Sequence, residues 1–439
     1  MVRIRNIREA ITDNCFIIFM ILTFASFKYD VPGFLRAALW IIIVFANLRC
    51  LKIKSSMDLM IVTYFIGAFL SLSGMLFRPY SLAFFLKVFV DSYIPVFFYF
   101  IGKYSSNQIN PRFYNRTLIA ILFVYIVGFY YSLTMPSWYV DKTLEITNLS
   151  ASYTEDTIMY ARFSSFLDSY HIANYGVFAL CFTFGLMKTN EKRIIKILGY
   201  VGLAIIAVAV LLSRQRVAIF IGGLILSYYL FKTVKSKNDF IGLFCVLCIL
   251  LFVIVQTFDE TTSSLVLSRF TKEENSSLVS ARTHQWVEAI KGVIEPVFGN
   301  GIGSGGHIAI AHGMHPSIAD GSYFKVWLEG GIYSTALLLA ILIISLWKAF
   351  LNRSKYFVEF PLLFFCMFSL LGANIIDMPY IIAPMWYVIG RIDKKVVFRM
   401  NGELAHKKIA PKALPLNMTV KRRRIRATMP RPGKNDITL

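Results

Sequence analysis

Apolar blocks of roughly 17 to 22 residues recur along the chain, the length an α-helix needs to cross about 30 Å of hydrocarbon at about 1.5 Å per residue. In lipid every backbone polar group must be satisfied internally, so blocks of this kind commit the chain to helices. Composition agrees, with 56% hydrophobic and only 16% charged residues against about a quarter charged in soluble domains. The blocks place spans at 11–27, 33–48, 57–77, 81–102, 115–132, 171–187, 197–212, 217–232, 239–258, 330–347, 356–375 and 379–391. The expected fold class is therefore all-α, a polytopic membrane protein with about 12 transmembrane helices and a long structured extracytoplasmic loop bearing short helices. A single transmembrane domain, residues 1–392, is followed by a basic tail, 393–439, that contains several prolines and little periodicity. That tail is expected to be disordered or to lie on anionic headgroups. The first block lacks a small-residue cleavage site and reads as a retained helix.

The net charge of +21 bears on nucleic acid only if the charges form a footprint, and no groove-reading motif accompanies them. Their placement reports topology instead. With the N-terminus inside, 33 of the 46 lysines and arginines fall on inner segments or the tail, 12 fall outside, and Lys87 lies in a span. The positive-inside rule then sets both termini in the cytoplasm. All six cysteines lie within or beside apolar blocks, so no disulfide framework is implied. The CxxC spacing of Cys245 and Cys248 falls inside a lipid-length helix and reads as packing.

Two outer segments are long, about 133–170 and about 259–329, and connections of that length are usually functional or disordered. In the second, Trp286, Ile290 and Val293 form an apolar stripe suited to a short interfacial helix, which Pro296 and Gly299 end. A glycine-rich turn, Gly299 to Gly306, follows, then His307, His312, His315 and Asp320. Gly301, Gly303 and Gly306 match GxGxxG, but no strand precedes them, so a dinucleotide site is not expected. The histidine spacings follow no metal signature, and neither metal nor cofactor is expected. One histidine as a proton acceptor fits better. Arg214 and Arg216 share a very short outer turn. Snorkelling explains one such arginine; two against the charge trend favour an anionic ligand, since guanidinium grips phosphate bidentately and stays charged. Arg162 and Arg282 are ambiguous alone. Lys87 and Asp91, one turn apart, read as an intramembrane pair lining a polar cavity.

Taken together, several short patterns resemble the O-antigen polymerase and O-antigen ligase superfamily of bacterial membrane glycosyltransferases. They are Ser213-Arg214-Gln215-Arg216 opening a span, Ala281-Arg282 with Trp286 following, Pro296 to Gly303, Asp320-Gly321-Ser322-Tyr323, and Glu329-Gly330-Gly331-Ile332. Arg162 to Asp168, with Asn174 following, resembles the first outer-loop pattern of that family. The resemblance covers about residues 160–335 by motif and the remainder by topology alone. It implies metal-independent, inverting transfer of glycan carried on undecaprenyl diphosphate, at the outer face of the bacterial inner membrane. Arg214, Arg216, Arg282 and Arg162 would hold the diphosphate, Asp320 or His315 would handle the acceptor hydroxyl, and Tyr323, Asp91, Lys87 and Asp168 would line the substrate cavity. Ligases of the superfamily place a histidine eleven positions before a glycine; eleven before Gly331 stands Asp320. That departure favours a polymerase joining lipid-linked repeat units, with ligase as the alternative and a lipid-linked-sugar flippase or transporter as a second. Implied partners are the lipid-linked oligosaccharide, membrane lipids, a chain-length regulator and a repeat-unit flippase.

Overall fold

A computed structural model describes residues 2–25, 33–76, 81–104, 111–141, 169–213, 215–233, 241, 274–306, 309–310, 318 and 320–409. Among them every regular element is helical: α1 (Val2–Ala25), α2 (Gly33–Asn47), α3 (Ser56–Leu70), α4 (Leu82–Val88), α5 (Phe98–Tyr104), α6 (Arg112–Thr134), α7 (Ser169–Thr189), α8 (Arg193–Leu212), α9 (Arg216–Thr233), α10 (Glu274–Lys291), α11 (Ser322–Leu351), α12 (Glu359–Gly372) and α13 (Pro379–Ile409). Six stretches among the described residues are long and apolar enough to cross a membrane: Ser56–Gly74, Leu82–Tyr104, Arg112–Thr134, Ile172–Thr189, Arg193–Leu212 and Ser322–Leu351. Each coincides with an expected span. The helices Val217–Lys232 and Glu359–Gly372 are apolar but shorter, and the expected span 239–258 lies, but for residue 241, outside the described residues.

The most enclosed of the six is Ile172–Thr189, with 78% of its span window buried. It is sheathed by α6, α8, α9 and α12, which explains why α7 can carry Asn174 and Thr183 in its interior: both are buried, Thr183 donating to the Ala179 carbonyl. A second group packs α3 on α11, α11 on α12 and α10 on α11.

The stretch Leu82–Tyr104 is not one regular helix. After α4 the backbone widens into a π turn, Phe89–Tyr93, then tightens into a 3-10 turn, Ile94–Phe97, before α5. Pro95, which has no N–H to donate, sits in the tightened turn. Single π turns inside helices gather at functional positions, and this one carries Asp91.

One end of the helical body is fastened by ion pairs. Ser55 caps α3 in a reciprocal box with Asp58, and Asp58 also accepts from Lys103 at 2.5 Å and Tyr99 at 2.7 Å. Lys103 pairs with Asp393 at 2.7 Å, which in turn takes Lys348 at 3.1 Å. Beside them Arg391 donates to Glu359 at 2.9 Å, with both side chains 1% exposed. Lys103, Lys348 and Arg391, charges that sequence assigns to inner segments, therefore share one end of the molecule and are neutralised there by carboxylates. The compact unit is Met1–Val397, and the second unit is Phe398–Leu439. Asp393, expected in the tail, belongs to the body because Lys103 and Lys348 hold it. Helical backbone runs on to Ile409, and residues 410–439 lie outside the described residues. Ser55→Ala removes the cap and one Lys103 partner, so the midpoint of thermal unfolding in detergent should fall by the equivalent of about 1–2 kcal/mol.

Candidate functional site

The long helix α11 is broken at Gly331, whose φ of 60° and ψ of −164° belong to no helix. That break frees backbone groups, and the segment after α10 supplies their partners. Asn300 and Gly301 donate to the carbonyls of Leu328 and Glu329 at 2.9 and 3.0 Å, while Ile332 and Tyr333 donate to Pro296 and Val297 at 2.9 and 3.1 Å. Buried backbone groups that lose their helical partners must find others, and these four bonds supply them. Glycine is required on both sides of the clasp. A Cβ on Gly331 would lie 2.5 Å from the Val297 oxygen, and one on Gly299, at φ 76°, would lie 2.5 Å from the Glu329 oxygen. The two glycine patterns read separately in the sequence are thus halves of one structure.

On the N-terminal side of the break, α11 carries a buried charge cluster. Lys325 is paired with Glu329 at 3.2 Å and with Asp377, its own side chain being 1% exposed. Glu329 also accepts the Gly305 N–H at 3.1 Å, and Asp377 accepts Ser92 of the π turn at 2.8 Å. Asp91 stands within electrostatic reach of Arg36, Asp377, Lys87 and Lys325. Among the described residues the expected Lys87–Asp91 pair is not a direct ion pair within 4 Å: Lys87 is exposed, and the winding changes from α to π at Phe89, between the two residues. The sequence did not mark Lys325, Glu329 and Asp377 as a charge cluster, although Glu329 opens the Glu329-Gly330-Gly331-Ile332 pattern. An i,i+4 Lys and Glu at the mouth of an apolar block was the signal available for the first two; Asp377, between two expected spans, had none.

Around Asp320 three of the sequence patterns converge. Trp286 of α10, one turn after Arg282, donates its indole N–H to the Asp320 carbonyl at 3.0 Å and stacks on Phe324 with ring centres 4.8 Å apart. Ser322 bonds the Ala373 carbonyl through its N–H at 3.1 Å and its hydroxyl at 2.7 Å, at the C-terminal end of α12. Asn374 donates to the Ile318 carbonyl at 2.7 Å. The same end of α12 borders a small cleft lined by Asn174, Gln215, Val217, Ala218, Ser369 and Gly372. The turn bearing the two arginines and the segment bearing Asp320 therefore flank one helix terminus, more than a hundred residues of sequence apart. Ser369 is 2% exposed, and its hydroxyl lacks a hydrogen-bond partner among the described residues.

The other expected site residues fall into three groups. Tyr323 is partly buried against the core and donates to the Met367 carbonyl at 3.0 Å, so its hydroxyl serves packing rather than an open cavity. Arg162, Asp168, Arg214 and His315, with His307 and His312, lie outside the described residues. For Arg216 and Arg282 only the backbone positions, at the start of α9 and within α10, are described. Among the described residues no group of three or more potential metal ligands occurs. Of the stripe expected at Trp286, Ile290 and Val293, the first and last face inward, but the middle position is taken by Ala289, fully buried with Ile318 and Leu328, and Ile290 is 51% exposed. No protein-family model, curated protein or solved structure matches the chain.

Proposed function

We propose that the protein is a bacterial surface-polysaccharide polymerase, joining oligosaccharide repeats carried on undecaprenyl diphosphate at the outer face of the inner membrane. The observation that carries this reading is the meeting of the arginine turn, the Trp286 helix and the Asp320 segment around the end of α12. A hydroxyl of one repeat attacks the anomeric carbon of the growing chain. The new C–O bond forms as the bond to diphosphate breaks, and the leaving group departs with the electron pair. Arg214, Arg216 and Arg282 stabilise that charge without a metal, as fixed guanidinium groups can. Asp320 or His315 takes the hydroxyl proton. Asn174, Gln215 and Ser369 offer the polar lining that a sugar needs.

The test is purified protein with diphosphate-lipid-linked repeats and no added metal. A ladder of repeat lengths is expected; a single transfer to an acceptor would identify a ligase instead. Arg216→Ala and Arg282→Ala should each lower the rate by about a hundredfold, the typical loss on removing one donor to developing negative charge. Retention of full activity by both variants would remove the diphosphate assignment. A second reading, translocation of a lipid-linked sugar, draws on the interrupted stretch Leu82–Tyr104, because transporters place substrate at broken helices. Lipid or sugar crossing in proteoliposomes, without elongation, would establish it.

A further inference from the structure

The helix α10 presents three distinct faces. Trp286, Ala289 and Val293 turn toward α11 and its neighbours. His284 and Glu288 form an exposed i,i+4 pair at 3.4 Å. Between these faces, at about 100° of helix rotation from each, run Val287 and Ile290, and in the turn beyond Ile294 and Val297 are exposed as well; these are 41%, 51%, 55% and 46% exposed. A soluble surface disperses such residues, and a contiguous stripe marks something that covers it.

What covers it is indicated by where the stripe ends. Val297 accepts the Tyr333 N–H in the clasp, which sets it beside Ile332, the first residue past the break in α11. Ile332 heads a single exposed face of that spanning helix, continued by Leu339, Ile343, Trp347 and Phe350. The exposed apolar residues of α10 and the turn after it thus lead onto the exposed apolar face of α11. Lys291 is exposed at the end of α10, where a cation suits a headgroup phosphate.

We infer that α10 and the turn after it rest in the outer headgroup and acyl boundary of the bilayer through Val287, Ile290, Ile294 and Val297, with His284 and Glu288 facing water. This seats Trp286, and hence the Asp320 carbonyl it holds, at the membrane surface. The inference does not depend on the proposed reaction.

Nitroxide accessibility in proteoliposomes tests it. Single cysteines at positions 287, 290 and 294, and at 284 and 288 for comparison, are introduced into the full chain with its native cysteines replaced. Labels at 287, 290 and 294 should collide more with oxygen and severalfold less with a water-soluble nickel chelate than labels at 284 and 288. Equal nickel access at all five positions would overturn the proposal. So would protection of 290 and 294 from both reagents, which would mean a protein partner or a second copy covers the stripe. Should the cysteine-free chain misfold, a benzophenone amino acid at position 290 of the native sequence decides. Crosslinks to phospholipid support the proposal, and crosslinks to polypeptide alone refute it.

Discussion

Replacing Lys325 with methionine should destabilise the folded protein by about 3–5 kcal/mol, the cost of leaving a buried charge without its partner. Lys325 and Glu329 are almost wholly withdrawn from solvent, and Asp377 is about one fifth exposed. Methionine keeps the length of the side chain and removes only the cation, so the loss measures uncompensated carboxylates rather than a cavity. Asp377→Asn should cost less than Glu329→Gln, because water reaches Asp377. Combining Lys325→Met, Glu329→Gln and Asp377→Asn should recover part of the stability, since the amide oxygens can still accept from Gly305 and Ser92. Thermal unfolding followed by size-exclusion chromatography in detergent reads all four variants. A Lys325→Met protein as stable as the parent would show that the cluster does not act as an ion network.

The second large effect is expected at the clasp. Gly331→Ala forces a Cβ into a backbone conformation that is essentially glycine-only, at about 1–3 kcal/mol, and into collision with the Val297 oxygen. Relief of that collision separates the segment from α11 and sacrifices up to four backbone hydrogen bonds, each worth about 0.5–1.5 kcal/mol net. Two consequences should appear together: a lower unfolding midpoint, and faster tryptic cleavage after the exposed Lys291 as the turn beyond it loosens. Gly223→Ala is the control. It lies in α9 with nothing within 4 Å of the added carbon, and Ala at a helical site should stabilise slightly. Cleavage at equal rates in the parent and Gly331→Ala would mean that the clasp does not hold the turn.

Much of the helical architecture was legible because its signal is additive. The stretches Arg112–Thr134 and Arg193–Leu212 each sum many apolar residues, and lipid-length blocks leave few alternatives. What escaped depends on relations between distant residues. Lys325 looked like one more outer charge until Asp377, fifty-two residues later, came to lie against it. Likewise Pro296 to Gly303 and Glu329 to Ile332 were two motifs, and nothing in either announces that their backbones bond each other. Local winding was equally hidden. An α-helical register pairs Lys87 with Asp91, and no composition rule warns of a π turn at Phe89. At the candidate site the sequence singled out Asp320, Trp286 and the arginine turn, whereas Ser369 is a lone hydroxyl within an apolar block, of the kind that usually bonds its own helix.

The break at Gly331 also divides α11 mechanically. From Ile332 to Leu351 the helix has 20 residues, a length of about 30 Å that matches the hydrocarbon thickness. The shorter piece, Ser322–Gly330, is fixed to it through the clasp rather than through continuous helix, while Lys325 and Glu329 tie that piece to Asp377 and Gly305. Hydrophobic mismatch is relieved by tilting the spanning part. Between the spanning part and Ser322–Gly330 the helix is interrupted, so the angle between the two pieces is set by the clasp bonds.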